Sequence, residues 1–341
     1  MLKVAVIGAG VNGVSSAIKI QEHYQNEKKI KVQVTIISDE FSPNTTGDGS
    51  AGLWGPFLLG GTDQKKVYKW SKDVHQFLEK IWLSDDAGEA GVCLVPCVRL
   101  STEPNCAVGD FWRDIVYGAV ELTSEQLEVY NKGRDSKFTA GLSFVTYTSE
   151  PIKLLPYLMK RFVRRGGVVV QQKITDLEGF VRDSPYDVIV NCTGLGSRQL
   201  LNDGQMYSVR GQVTRVKANW IYTVVLDESD DGNYIIPNTE SVVLGGTHQE
   251  KDYNENICPV DKRFITDGCR RLLPGLTHAQ HLFDWVGLRP GRLELRLESE
   301  RRGSKLLIHN YGHGGSGVTL AWGCADDVLH LLLADKINSK L

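Results

Sequence analysis

Four consecutive apolar residues, Val4-Ala5-Val6-Ile7, end abruptly at glycine. A short, fully apolar run of this kind predicts a strand buried on both faces. From Val11 to Tyr24 the period changes, with Val14, Ala17, Ile18 and Ile20 near one face of a helix. Lys31 to Ser38 (KVQVTIIS) is β-branched and predicts a second strand. Together these three segments predict a β-α-β unit at the start of the chain.

The segment from Phe41 to Gly61 is rich in Gly, Thr, Asn and Pro, and a loop of that length is expected to be either functional or disordered. Amphipathic helices are predicted at Val67–Trp82 and Ile152–Arg165, and a closing helix at Ala325–Ile337. Thr123-x-x-Gln126 has capping-box spacing and predicts another helix start. Strands are predicted at Val92–Leu100, Gly167–Val170, Tyr186–Asn191 and Leu306–His309. Gly211–Val216, Tyr234–Pro237 and Val242–Gly246 read as an antiparallel sheet in a second domain. The fold class expected is α/β: a Rossmann-like dinucleotide domain formed by residues 1–55, 150–200 and 285–341. An interleaved, mostly antiparallel domain takes 56–149 and 201–284.

Composition narrows the function classes. The chain has 341 residues, 41% hydrophobic and 23% charged, with a formal net charge of -2. That balance gives no basic footprint for nucleic acid. No stretch reads as the roughly 20 apolar residues of a membrane span, so no membrane partner is expected. Seven scattered cysteines without a Cys-x-x-Cys pair read as reduced thiols. His278 and His281 lack a second ligand pair, and no metal site is expected. The C-terminal Ser339-Lys340-Leu341 has the form of the address read by the peroxisomal import receptor, implying the peroxisome matrix.

Gly8-Ala9-Gly10-Val11-Asn12-Gly13 matches G-x-G-x-x-G directly after a strand and at a helix start. Gly8 serves the tight turn, Gly10 the approach of a pyrophosphate to the backbone, and Gly13 close helix–strand packing. Asp39, ending the second strand, is placed to accept hydrogen bonds from an adenosine ribose. These features alone do not separate NAD from FAD.

The segment from Leu307 through Tyr311-Gly312-His313-Gly314-Gly315-Ser316-Gly317 to Gly323-Cys324-Ala325 resembles the signature of the FAD-dependent D-amino-acid oxidase family. So do Thr45-Thr46 with Ala51-Gly52-Leu53-Trp54, Asn191-Cys192-Thr193-Gly194, Tyr234-Ile235-Ile236-Pro237 and Gly287-Leu288-Arg289-Pro290, in chain order. The resemblance implies FAD as cofactor, bound in the first domain. It implies flavin contacts at Gly8, Gly10, Val11, Asn12, Asp39, Thr45, Thr46, Ala51, Gly52 and Leu53. Further contacts are implied at Ile174, Thr193, Gly194, and Gly314, Gly315, Ser316, Gly317, Val318 and Thr319. Arg289 and the Tyr234 hydroxyl would hold the substrate carboxylate, and the Gly315 carbonyl would take its amine.

The implied reaction is hydride transfer from the substrate α-carbon to flavin N5, with no side chain acting as acid or base. Dioxygen then yields hydrogen peroxide, and the imino acid becomes a 2-oxo acid and ammonia. Thr35–Asp39, Gly194–Gln199, Val209–Val213 and Gly245–Gln249 look most like the branch acting on D-aspartate and possibly D-glutamate. A broad specificity for neutral or basic D-amino acids is the alternative, and a homodimer is left open. His248 stands where that branch usually has arginine, and is expected to supply the missing cation. Ser316 replaces an aromatic residue of the neutral-substrate branch and is expected near the substrate. The acidic stretch Asp227–Asp231 is expected to face solvent.

Overall fold

The computed structural model describes residues 1–27, 30–104, 111–135, 137–229 and 232–338. The chain opens with β1 (Leu2–Ile7), α1 (Val11–Glu27) and β2 (Val32–Ser38). Helices α2 (Gln64–Trp82) and α3 (Ala87–Ala90) precede β3 (Val92–Ser101), β4 (Tyr117–Glu121), α4 (Ser124–Asn131) and β5 (Ala140–Ser149). Then come α5 (Pro151–Arg164), β6 (Val168–Gln171), α6 (Leu177–Asp183), β7 (Val188–Asn191) and α7 (Ser197–Leu200). The long β8 (Met206–Lys217) leads to β9 (Val224–Asp227), β10 (Tyr234–Pro237), β11 (Val242–Gly245), β12 (Gln249–Glu250) and α8 (Pro259–Leu272). The chain closes with β13 (Gln280–Arg292), β14 (Arg296–Arg302), β15 (Lys305–Tyr311) and α9 (Gly317–Asn338).

Two sheets organise these elements, and the α/β class is as expected. The first has the order β14-β15-β7-β1-β2-β6, parallel except for the β14–β15 pair. Val4, Ala5 and Val6 are all fully buried, because α1 and α9 lie on one side and α6 on the other. That double cover is what the unbroken apolar run anticipates. Among the described residues the second sheet has nine strands, β12-β8-β11-β10-β9-β3-β5-β4, with β13 added on β8.

Local chemistry sets the helix ends. Thr123 Oγ1 accepts from Gln126 N at 3.3 Å and Gln126 Oε1 accepts from Thr123 N at 2.9 Å, completing the capping box. Pro151 occupies the first turn of α5, where its missing N–H costs nothing.

Three sequence expectations are corrected. The expected closing helix begins eight residues earlier, at Gly317, because its first turns carry Gly317, Thr319 and Gly323, which are poor helix formers in isolation. Gly323 is required by packing, since a Cβ there would lie 2.4 Å from Trp70 Cα. This same helix overturns the expectation that no stretch is long and apolar enough for a membrane span. Gly317–Asp335 meets that test by length and composition. Leu320, Ala321, Cys324, Ala325, Val328 and Leu332 are nevertheless buried in contact with the rest of the protein, as in a core helix. Finally, the boundary placed at residue 285 falls inside β13, which belongs whole to the second sheet.

Candidate active site

Strand register assembles one end of the site. Tyr234 pairs with Gly245 across β10–β11, Gly245 with Val213 across β11–β8, and Val213 with Trp285 across β8–β13. Farther along β8 and β13, Gly211 pairs with Gly287 and Val209 with Arg289. Alternation along a strand puts all of these on one face. Glycines open the space that the large side chains fill. A Cβ at Gly245 would fall 2.0 Å from the Tyr234 ring, one at Gly211 2.2 Å from the Arg289 guanidinium, and one at Gly287 1.9 Å from Trp285. Trp285 also covers Gly49, at 2.0 Å by the same measure.

Arg289 donates from Nη1 to the Thr247 carbonyl at 2.9 Å. Among the described residues no carboxylate lies within ion-pairing distance of it. Burial raises the Tyr234 phenol above its ordinary pKa, against the opposing pull of Arg289, so Tyr234 stays a protonated donor. Arg215, 6% exposed on the same face, is held by Asn238 Oδ1 at 2.9 Å, Ser241 Oγ at 3.0 Å and Ser50 O at 3.2 Å. Its pKa is pushed down by burial.

The other end is backbone. A cleft of about 660 Å³ runs along the carboxyl edge of the first sheet, within the range of about 300–1,000 Å³ usual for ligand sites. Gly8, Gly10, Val11 and Asn12 line it at the α1 N-terminus, as do Asp39, Thr45, Thr46, Ile174, Thr193 and Gly194. Arg289 lines it too, with Gly314, Gly315, Gly317 and Val318. The remaining expected residues lie outside its wall. Gly52, with φ +72°, sits against β5, its carbonyl accepting from Ser149 N at 2.8 Å; Leu53 bridges to Thr148, and the Ala51 carbonyl accepts from Asn238 at 3.0 Å. Tyr234 and His248 belong to the second sheet's end. The side chains of Ser316 and Thr319 turn away to the backbone of Phe57 and Gly55.

This cleft fits FAD. A Cβ at Gly10 would meet no protein atom within 4 Å, so only a ligand demands glycine there. Gly13, by contrast, is demanded by the protein, because its Cβ would lie 1.9 Å from Gly8 O. The α1 and α9 N-termini both reach the cleft, offering unpaired N–H groups to phosphate and other electron-rich atoms. Asn12 Oδ1 and His313 Nε2 are buried without a partner on residues that line it. Burial lowers the His313 pKa to about 3, so this cleft wall is a neutral imidazole. His313 was not singled out in the sequence as a cofactor residue, although it lies within the quoted signature. Trp285 was missed altogether; the glycines at 211, 245 and 287 inside predicted or adjacent strands were its available signal.

The acidic stretch before Tyr234 departs from expectation. Asp227 is largely covered, 11% exposed, and faces Arg134 at 3.4 Å; Glu228 is exposed and meets Arg99 at 3.2 Å. Their charges are thus offset locally rather than by solvent alone. Asp230 and Asp231 lie outside the described residues. Among the described residues no cluster of His, Cys, Asp and Glu suits a metal ion, and the described cysteines are free thiols.

Comparison with known proteins agrees with this geometry. The family model described as FAD dependent oxidoreductase (DAO) matches residues 3–331. The chain is 38% identical to a D-amino acid oxidase of Dugesia ryukyuensis, covering 100% of both chains. It is 36% identical to the D-aspartate oxidase of Homo sapiens, over 97% of this chain and 94% of that one. Among solved structures, glycine oxidases of Bacillus cereus and Geobacillus kaustophilus share the fold, each at 18% identity. Their TM-scores are 0.77 and 0.78; they cover 100% and 98% of this chain, and 96% and 95% of their own chains are covered. With a family model matching nearly the whole chain and full-length relatives above 35% identity, the chain belongs to the FAD-dependent oxidoreductases of the D-amino-acid oxidase family.

Proposed function

We infer that the chain oxidises D-amino acids and prefers D-aspartate. The observation that carries the reading is Arg289, a half-buried cation at the end of the cleft whose planar fork has no carboxylate partner among the described residues. Such a group recognises a carboxylate through paired charge-assisted hydrogen bonds. Arg289 binds the α-carboxylate and Tyr234 donates to it, fixing the α-carbon; the Gly315 carbonyl accepts from the amine. When bound, FAD supplies the acceptor for the hydride leaving the α-carbon, with dioxygen as final oxidant giving hydrogen peroxide. No side chain has to remove a proton from carbon, so the protein contributes orientation. The imino acid product hydrolyses to a 2-oxo acid and ammonia.

The acidic preference rests on His248. It directly follows Thr247, whose carbonyl holds Arg289, and it is exposed. A cationic imidazole there would meet the second carboxylate of D-aspartate. The neutral alternative is favoured by Phe57, an apolar ring packed edge-on to His248 with centroids 6.5 Å apart. A peroxide-release assay over a panel of D-amino acids decides between them. D-Aspartate is expected to lead, and His248→Phe to lower its kcat/KM at least about tenfold more than that of D-alanine. Equal losses on both substrates overturn the acidic reading.

Ser339-Lys340-Leu341, outside the described residues, supports a proposal of peroxisomal import. A fluorescent fusion at the N-terminus should be punctate with these residues and diffuse without them.

A further inference from the structure

Two hydroxyls near the start of α9 do the same unusual thing. Ser316 Oγ accepts from Phe57 N at 2.6 Å and donates to Phe57 O at 2.6 Å. Three residues on, Thr319 Oγ1 accepts from Gly55 N at 3.2 Å and donates to Gly55 O at 3.1 Å. Both hydroxyl residues are buried, Ser316 fully and Thr319 at 2% exposure. The pair replaces a strand partner for the 55–57 segment, satisfying donor and acceptor of two alternate residues. Gly314 admits the same segment from below, since a Cβ there would stand 1.9 Å from Leu58 O. The segment is therefore hydrogen-bonded at two points, to Ser316 and to the first turn of α9, and passes closely over Gly314.

What the fastening presents is the Phe57 ring. It is 51% exposed, a high figure for a phenylalanine on a backbone so tightly held. Its Cδ1 lies 2.6 Å from where a Cβ on Gly315 would be, and its ring meets His248 edge-on. Gly314 N donates to Pro290 O at 2.9 Å, so the loop under Phe57 is also tied to the residue after Arg289. One ring thus touches the loop expected to seat the substrate amine and the histidine expected at its side-chain end.

We propose that Ser316 is a positioning residue for substrate selection: its hydroxyl holds the Phe57 segment so that the Phe57 ring closes the side-chain end of the site against bulky substrates. Ser316 touches neither substrate nor reacting atoms in this role; it acts through Phe57. The ring that limits size lies directly beside His248, meeting its imidazole edge-on. This inference rests on the D-amino-acid reading of the site but not on the acidic preference.

The test is a double-mutant cycle on flavin-loaded enzyme, read as the ratio of kcat/KM for D-phenylalanine to that for D-alanine. Phe57→Ala should raise this ratio about tenfold or more, chiefly through the KM of the bulky substrate. Ser316→Ala should raise it in the same direction by about three- to tenfold, and Ser316→Thr, which keeps the hydroxyl, should restore most of the discrimination. In a Phe57→Ala background, Ser316→Ala should change the ratio no further, because its only route of action is gone. Additive effects, or a Ser316→Ala enzyme with unchanged discrimination, overturn the proposal. A second readout needs no turnover: acrylamide quenching of the bound-flavin fluorescence should increase in both single variants. If wild type oxidises no D-amino acid, the functional reading fails by itself, while unchanged quenching in both variants sinks the latch.

Discussion

The two ends of the cleft are built from different materials. At the cofactor end the wall is backbone: Gly8 to Asn12, Thr193-Gly194, Gly314-Gly315 and Gly317-Val318 line it, each a short local turn at a strand end. At the proposed substrate end it is side chain: Tyr234, Trp285 and Arg289 project from one face of the second sheet, over glycines on neighbouring strands. The first arrangement depends on spacing within a dozen residues. The second depends on register between strands far apart in the chain: Val209 pairs with Arg289, 80 residues on. A cofactor common to a family suits a rigid backbone cradle, whereas substrate choice can be changed by replacing one side chain on a fixed register.

The sharpest way to break this contrast is at the glycines of the cofactor end. Gly13→Ala places a methyl 1.9 Å from Gly8 O. Backbone cannot yield there without unseating α1 from β1, so no flavin-loaded protein is expected by absorption spectroscopy. Gly10→Ala meets open space and should leave thermal unfolding of the cofactor-free chain within about 0.5 kcal/mol of wild type. Its methyl occupies ligand space, so FAD affinity should fall about tenfold or more, following an overpacking cost of about 1–3 kcal/mol. Equal effects of the two substitutions would remove the assignment of this cleft to FAD.

The substrate end should respond in kinetics and not in cofactor content. Arg289→Leu removes the carboxylate fork and is expected to lower kcat/KM by about 100- to 1,000-fold, within the cost of about 2–5 kcal/mol for truncating one partner of a desolvated charge pair. The yellow flavin spectrum should persist. Gly211→Ala leaves Arg289 in the sequence but puts a methyl 2.2 Å from its guanidinium. A smaller loss of about 10- to 100-fold is expected, on the grounds that a displacement of about 1 Å costs roughly that much. Full activity in Gly211→Ala would show that register does not place Arg289.

The same division governs what the sequence revealed. The β1–α1–β2 unit and the Thr123 cap were legible because each is decided by neighbours along the chain. β13 was not anticipated as a strand, although it carries Arg289. Gly287, Pro290 and Gly291 interrupt its pattern, and glycine and proline weaken any strand assignment read from propensity. Tertiary pairing with β8 overrides that weakness. The role proposed for Arg289 came from resemblance, and Trp285 came from neither. The Ser316 substitution stood out in the sequence, but its partner did not, since nothing local joins it to Phe57, 259 residues away.

A smaller, pH-dependent effect separates the cleft wall from the aromatic core away from it. His313 lies in the cleft wall, with its pKa lowered to about 3 by burial. His75 is 3% exposed, among Trp54, Tyr117 and Tyr147, and burial lowers its pKa to about 4 against the pull of Glu79. Both are folded in the neutral form, whereas an unfolded histidine takes up a proton near pH 6.5. Their contribution to stability is therefore complete above pH 6.5 and is lost progressively as pH falls toward 4 for His75 and toward 3 for His313. Replacing His75 with phenylalanine keeps an aromatic ring in that box and removes its proton site. Between pH 6.5 and 4 the variant should lose about 1–3 kcal/mol less than wild type in urea unfolding. That difference should be the same with and without FAD, because His75 does not line the cleft. A difference that vanishes on flavin loading would tie His75 to the cofactor end and overturn its placement in a core separate from the cleft.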